Sequence, residues 1–526
     1  MIFNSIEYLF FLPIAFLIYW AIGYARINES LKLRLQNAFV VIASYFFYGW
    51  WDWRFLGLLF GMSLFSWISG QMIAERQNHA EGLGGGAKRT IRKGKWRAES
   101  GEQRVEPGKI WLWICITINL LILGLFKYYN FFVNSFADLF GLQNSIHSLK
   151  IVLPLGISFF TFQAVSYVVD VCKRKIESTN LIDCLFYIGF FPKLLAGPIE
   201  RPTNLIPQIQ KPRLFEYDLA VDGCRQMLWG LFKKVVIADN CALYVNQVYG
   251  DYANQSGSTL LLAAILYTIQ IYGDFSGYSD MAIGSAKLLG FRFRDNFLFP
   301  YFSRNMNKFW RRWHISLNTW FVDYVYIPLG GSRPKIDNRW IDNRWTKSWT
   351  KLITCRNIMI VFLLSGLWHG ADWSFVAWGA YHGLLLVLLI LLNRNTKYEH
   401  VVAYDRWYPN VKEIGQMMMV FMLATIGWIL FRADTMGQAW EYLCGICDKS
   451  LFSIPYLMTR AYYIPTFLLV AVMFVVEWLT RRERNPLAIS KVIPNKYLRW
   501  VIYWVIIALI YEYGNFAYNQ FIYFQF

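Results

Sequence analysis

Ser365-Gly366-Leu367-Trp368-His369-Gly370-Ala371 lies inside an apolar run from Ile358 to Leu392 whose only formally charged residue is Asp372. About 20 residues of helix cross a hydrocarbon core, so this run is too long for one span and reads as a helical hairpin. Gly366, Gly370 and Asp372 mark the break between its legs. The basic stretch 333–356 before the run and the basic region after Leu392 put both ends of the hairpin on the cytoplasmic side. From Asn357 to His369 is then roughly 12 residues, or about 18 Å of helix, which passes the midplane of a core about 30 Å thick. An ionisable ring at that depth is costly, so His369 either serves a reaction or caps the bend beside Trp368 and Trp373. Histidine is also the side chain whose ordinary pKa suits proton transfer near neutral pH.

The rest of the chain extends the membrane reading. It has 526 residues, 56% of them hydrophobic and 19% aromatic, more apolar surface than a soluble protein of this size could cover. Further apolar runs occur at 5–24, 37–51, 54–74, 110–133, 151–172, 258–273, 414–431, 464–480 and 497–513. With the hairpin counted twice, about eleven transmembrane helices are expected. No period-two alternation suggests a barrel. The first run, Ser5–Tyr24, has neither a basic leader nor a small-residue cleavage site and is expected to remain as a span. Arg26, Lys32 and Arg34 after it, and the basic loop 75–109, belong inside, so the N-terminus faces out. The net charge of +18 fits cytoplasmic loops and anionic lipid, and no nucleic-acid-binding pattern accompanies it. Loop 75–109, with Gly84-Gly85-Gly86, is expected to be flexible. Loop 333–356 repeats Ile336-Asp337-Asn338-Arg339-Trp340 as Ile341-Asp342-Asn343-Arg344-Trp345, a local duplication. The eight cysteines are scattered. Cys444 and Cys447 have metal-like spacing but no second pair and no nearby histidine, so no metal is expected.

Two more segments carry candidate chemistry. Residues 310–324 place Trp310, Trp313, Leu317, Trp320, Phe321 and Tyr324 at helical spacing, with Arg304, Lys308, Arg311 and Arg312 on the flank. An amphipathic interfacial helix is predicted there. It carries His314 on its edge, four residues before Asn318, where it is either a wet interfacial histidine or part of a site. The stretch Gln270–Asp280 holds Asp274 and Asp280 in or beside a span. They either orient a histidine or hydroxylated substrate, or pair with Arg292, Arg294 or Arg304 for structure. Phe190–Pro202 is too broken for a helix and reads as a re-entrant loop. His79, His147 and His400 fall in loops or connectors, and His382 on a packing face with Gly379 and Gly383.

Taken together, Pro154–Gln163, Phe191–Pro202, Asp274–Gly284, Phe309–Gly331, Ser365–Gly370 and the ending Phe521–Phe526 resemble the membrane-bound O-acyltransferase family. The resemblance is to its bacterial branch of alginate O-acetyltransferase-like and teichoic acid D-alanyl-transfer-like proteins. It implies an all-α polytopic fold, with re-entrant and in-plane helices and a horseshoe around a thinned centre. The chain then divides into N-terminal transmembrane helices (1–74), a basic cytoplasmic loop (75–109), the family's catalytic core (110–400) and C-terminal transmembrane helices (401–526). The resemblance makes His369 the catalytic histidine and His314 its companion. Trp368 or Trp373 could supply an indole N–H to an oxyanion. Asp274, Asp280 and Asn318 would support substrate or site, and Arg311 would hold donor phosphates or anchor the helix.

The implied donor is an acyl thioester, acetyl-CoA, with no bound cofactor. The implied location is the bacterial inner membrane, in contact with membrane lipid. The implied acceptor is an exported glycan, reached directly or through an extracytoplasmic transfer partner. Alternatives are D-alanyl transfer from a carrier protein to teichoic acid and peptidoglycan O-acetylation. Outside the class stand a non-catalytic scaffold and a transporter, the latter disfavoured because no half-to-half repeat is visible.

Overall fold

A computed structural model describes residues 1–83, 108–142, 149, 151–195, 197–332, 344–395, 401–457, 460–517 and 521–522. The glycine-rich basic segment, the duplicated pentapeptide up to Asn343, His147, His400 and the last four residues lie outside the described residues. All secondary structure among the described residues is helical. Seven of the eleven expected spans are helices long and apolar enough to cross a membrane: Ile6–Tyr24, Trp53–Ala80, Lys109–Phe140, Gly257–Leu288, Ser348–His369, Trp373–Leu391 and Val411–Arg432. The expected runs at 151–172 and 464–480 are shorter apolar helices, Ile157–Cys172 and Ile464–Leu479. The protein is a multi-pass helical membrane protein.

The chain forms two compact units, Leu17–Leu195 with Glu200–Leu214, and Met1–Phe16 with Ala196–Ile199 and Phe215–Phe526. In the first, buried polar side chains tie helices together. Asn37 Nδ2 donates to Asp183 Oδ1 at 2.9 Å while Arg213 donates to Asn37 Oδ1 at 2.6 Å. Ser44 Oγ accepts from the Phe191 N–H at 3.0 Å, at the start of the short helix Phe191–Leu194 within the stretch read as re-entrant.

The second unit is organised on the helix Gly257–Leu288, which runs straight through the acidic cluster instead of ending near 273. Tyr217–Leu231 packs on it through paired glycines. A Cβ on Gly223 would meet the Gly284 carbonyl at 2.7 Å, and one on Gly230 the Gly277 carbonyl at 2.6 Å. The backbones therefore approach as closely as small residues allow. The π-helical turn Phe232–Ala238 continues the shorter helix. It brings Lys233 to Asp280 and Lys234 to Asp274 and Asp239, each at 2.7 Å. The C-terminal residues close this region. Asn515 N–H donates to the Val235 carbonyl at 2.9 Å and Ile522 N–H to Asp274 Oδ2 at 2.7 Å. Phe521 is buried against Tyr278 and Phe275.

The predicted hairpin is present. One leg ends at His369 and the next starts at Trp373, with Gly370 between them and Asp372 capping the Ser374 N–H at 2.8 Å. Gly366 sits where a Cβ would collide with the Phe375 carbonyl, and Gly379 where one would collide with the Phe362 carbonyl. Two further expectations are corrected: the helix Leu56–Leu83 carries on through His79 into the expected start of the basic loop, and the segment around His314 is interrupted. Residues 310–324 are not a single amphipathic helix but Met306–Trp310, a turn, Ile315–Phe321 and a π-helical turn Val322–Tyr326. His314 adopts φ 44° and ψ 52°, a left-handed conformation that no continuous right-handed helix can contain.

Candidate active site

His369 is the last residue of its helix and is 4% exposed. Aromatic edges and faces box its ring: Trp368 at 4.9 Å between centroids, Trp378 at 5.0 Å and Phe431 at 5.3 Å, all steeply inclined. Gly370 follows because a Cβ there would fall inside the Phe375 ring. The hairpin register set by Gly366 and Gly379 is what turns Trp378 toward His369. Val411–Arg432 adds Phe431 and Trp428.

His314 comes from a different element and meets His369 at 6.3 Å between ring centroids. It is 1% exposed, with the edge of Phe275 at 4.6 Å and Trp368 at 5.9 Å. Its Nδ1 lies 2.9 Å from Asn296 Oδ1. The orientation of that amide is fixed by its neighbours. Ser316 Oγ donates to Asn296 Oδ1 at 2.9 Å, the Ser316 N–H points at the same oxygen at 3.4 Å, and Asn296 Nδ2 donates to Ser279 Oγ at 2.9 Å. The Asn296 oxygen can only accept, so His314 Nδ1 carries the proton and Nε2 is left as the basic nitrogen. The Ile199 N–H completes the chain by donating to Ser316 Oγ at 3.0 Å. Burial pushes the His314 imidazole down to about 3, so it is neutral at physiological pH.

The site thus brings together His369, His314 and Trp368, and places the other sequence candidates differently. Trp373, in the first turn after the break, is 56% exposed. Asn318 Nδ2 donates to the Trp310 and Trp313 carbonyls, both at 2.6 Å, and so holds the turn that presents His314. Asp274 is paired with Lys234, and Asp280 with Lys233 and Gln226. Those partners are lysines of the neighbouring helix, not Arg292, Arg294 or Arg304. Arg311 is exposed, whereas Arg312 beside it is 7% exposed. Several residues of the site were not singled out from the sequence, among them Asn296, Ser316, Phe275, Trp378 and Phe431. Trp378 could have been found from the hairpin, since the glycine spacing on the two legs sets which residue faces His369. Asn296 sits in an irregular segment 18 residues before His314 and gives no periodic signal.

This geometry is a buried pair of histidines with separate supports in a helical membrane core. Residues 110–431 match the membrane-bound O-acyltransferase family. The chain is 36% identical over 446 residues to the probable alginate O-acetylase AlgI of Pseudomonas aeruginosa, covering 84% of this chain and 74% of that protein. It is 33% identical over 495 residues to the probable alginate O-acetylase AlgI of Azotobacter vinelandii, covering 93% and 87%. It is 29% identical over 531 residues to the peptidoglycan O-acetyltransferase of Helicobacter pylori, covering 92% and 90%. The chain belongs to the membrane-bound O-acyltransferase family and is an acyltransferase.

Proposed function

We propose that the protein works in the bacterial inner membrane and moves an acetyl group from acetyl-CoA, reached from the cytoplasm, toward an exported polysaccharide. The acceptor is the glycan hydroxyl or that of an extracytoplasmic partner that passes the acetyl group on. The single observation that carries this reading is the meeting of His369 and His314 at 6.3 Å within one buried aromatic box. His369 acts as the general base. It takes the proton of the acceptor hydroxyl as that oxygen attacks the thioester carbonyl carbon. The tetrahedral oxyanion collapses, the carbon–sulfur bond breaks, and the departing thiolate takes the proton back from His369. Such a base contributes about 10²–10⁴-fold.

His314, neutral and protonated on Nδ1, offers Nε2 to a second donor of the acceptor, such as a neighbouring hydroxyl, and so orients it while the reacting proton goes to His369. The Trp368 and Trp378 indole N–H groups are the candidates for the oxyanion. Trp378 Nε1 is buried with no hydrogen-bond partner among the described residues. Arg312 is a buried cation with no ion pair among the described residues, which suits a phosphate of the donor.

The experiment is thiol release from acetyl-CoA by the full chain in nanodiscs, with and without an acceptor. Acceptor-dependent release by the wild type supports the reading. Release that is absent for acetyl-CoA but present for a D-alanyl carrier thioester would overturn the choice of donor.

A further inference from the structure

The first helix and the last one described, Lys496–Tyr513, present rows of exposed apolar side chains, among them Leu9, Phe10 and Ile14 on one and Trp500, Trp504 and Val505 on the other. With Tyr217–Leu231 they enclose a groove of about 920 Å³. Its walls include Leu12, Phe16, Phe215, Leu228, Trp500 and Ile507. The helices Tyr217–Leu231 and Lys496–Tyr513 run in the same direction. Arg225 lies over the Tyr503 ring at 5.5 Å, and further along the Val235 carbonyl accepts from the Asn515 N–H. The starts of both helices therefore share one end of the groove.

That end is charged. Lys496 and Arg499 occupy the first turn of one helix, and Arg225 reaches in from the other; Asp218 is the one carboxylate in the lining. Arg499 spends Nη1 on the Ile493 and Pro494 carbonyls. Arg225 Nε is buried with no hydrogen-bond partner among the described residues. The lining of the other end carries no charged side chain. It continues past Leu12, Pro13 and Leu228 into a second cavity of about 340 Å³ lined by Phe3, Leu9, Leu231 and Met281. By the charge rule that puts Arg26, Lys32 and Arg34 inside, the basic end lies at the cytoplasmic leaflet.

We propose that this groove is a specific site for one anionic phospholipid of the cytoplasmic leaflet. Its phosphate lies among Arg225, Arg499 and Lys496, and an acyl chain follows Leu228 into the apolar cavity. The match is of head to charge and tail to wall: three cations against one carboxylate at one end, and beyond it a lining with no charged side chain that is mostly apolar, with Asn4, Ser5 and Tyr8 its polar members. It is independent of the reaction assigned to the histidines.

Native mass spectrometry of the full chain released from nanodiscs tests it, using phosphatidylglycerol against phosphatidylcholine of the same acyl chains. One phosphatidylglycerol should be retained in preference. Arg225→Gln with Arg499→Gln should weaken that retention by roughly 30-fold, the effect of removing two cations facing an anionic head. Leu228→Trp, which fills the throat and leaves the charges in place, should also abolish it. Neither variant touches the histidine site, so thiol release from acetyl-CoA reports that both are folded. Equal retention of the two lipids by the wild type overturns the proposal. So does unchanged phosphatidylglycerol retention in both variants. Disulfide-linked dimers through the exposed Cys224, with no lipid retained, would also overturn it by assigning the groove to a second copy.

Discussion

Replacing Asn296 by leucine tests the site at the residue that sets its chemistry. Asn296 Oδ1 accepts from His314 Nδ1 and Ser316 Oγ, both at 2.9 Å. Leucine keeps the volume and removes the acceptor. Two buried donors then lose their partner, at about 1–3 kcal/mol each before relaxation. Ser316 can turn its hydroxyl elsewhere, so a net loss of roughly 2–3 kcal/mol in stability is expected. The catalytic effect is separate. Without an acceptor on Nδ1, the proton of the neutral ring is free to move to Nε2, the nitrogen that positions the acceptor by accepting from it. An interaction worth about 2.7 kcal/mol in the transition state corresponds to roughly 100-fold in rate. Acceptor-dependent thiol release in nanodiscs, at matched amounts of folded protein, should fall about that far, with kcat carrying more of the loss than KM. Asn296→Asp preserves the acceptor and adds a charge that favours the protonated ring, so its activity should shift to higher pH instead of vanishing. A leucine variant with wild-type kcat would refute the assignment of His314.

Three further outcomes follow from the packing. Gly366→Val should destabilise the hairpin by roughly 2 kcal/mol or more, because the side chain would enter the Phe375 carbonyl; a thermal midpoint equal to wild type would contradict the close approach. Phe521→Ala should cost about 3–5 kcal/mol, since the ring is fully buried on Tyr278 and on Phe275, which packs against His314. Activity should fall with it, and an active, equally stable variant would show that the tail does not support the site. His314 is held down at about 3 in the fold against an ordinary 6.5, so the unfolded chain binds a proton that the folded chain does not between those values. The resulting stability is complete above about 6.5 and declines toward 3, by at most about 1.4 kcal/mol per pH unit. The melting temperature should accordingly drop more for wild type than for His314→Gln between pH 7.5 and 5.5, and parallel curves would contradict this.

How much of this was legible in the sequence depended on the range of the interaction. The hairpin could be read because run length and the Gly370–Asp372 break are local, and the structure places the turn there. The pairing of His314 with His369 came from family resemblance, since no periodicity links residues on separate elements. The helix predicted over 310–324 failed because apolar spacing does not register one residue in a left-handed conformation. Asp274 and Asp280 were offered arginine partners near them in sequence. Their lysine partners depend on the glycine-mediated packing of two helices, a tertiary fact. Trp373 sits at the right place along the chain, but its side chain faces outward, which one residue of register decides.

The most direct test of the account is the rate of acceptor-dependent thiol release from acetyl-CoA by His369→Ala in nanodiscs, at matched folded protein. Alanine removes the ring's packing against Trp368, Trp378 and Phe431, so the comparison is made per amount of folded protein. The account predicts a loss of at least about 10²-fold. Undiminished release would contradict it.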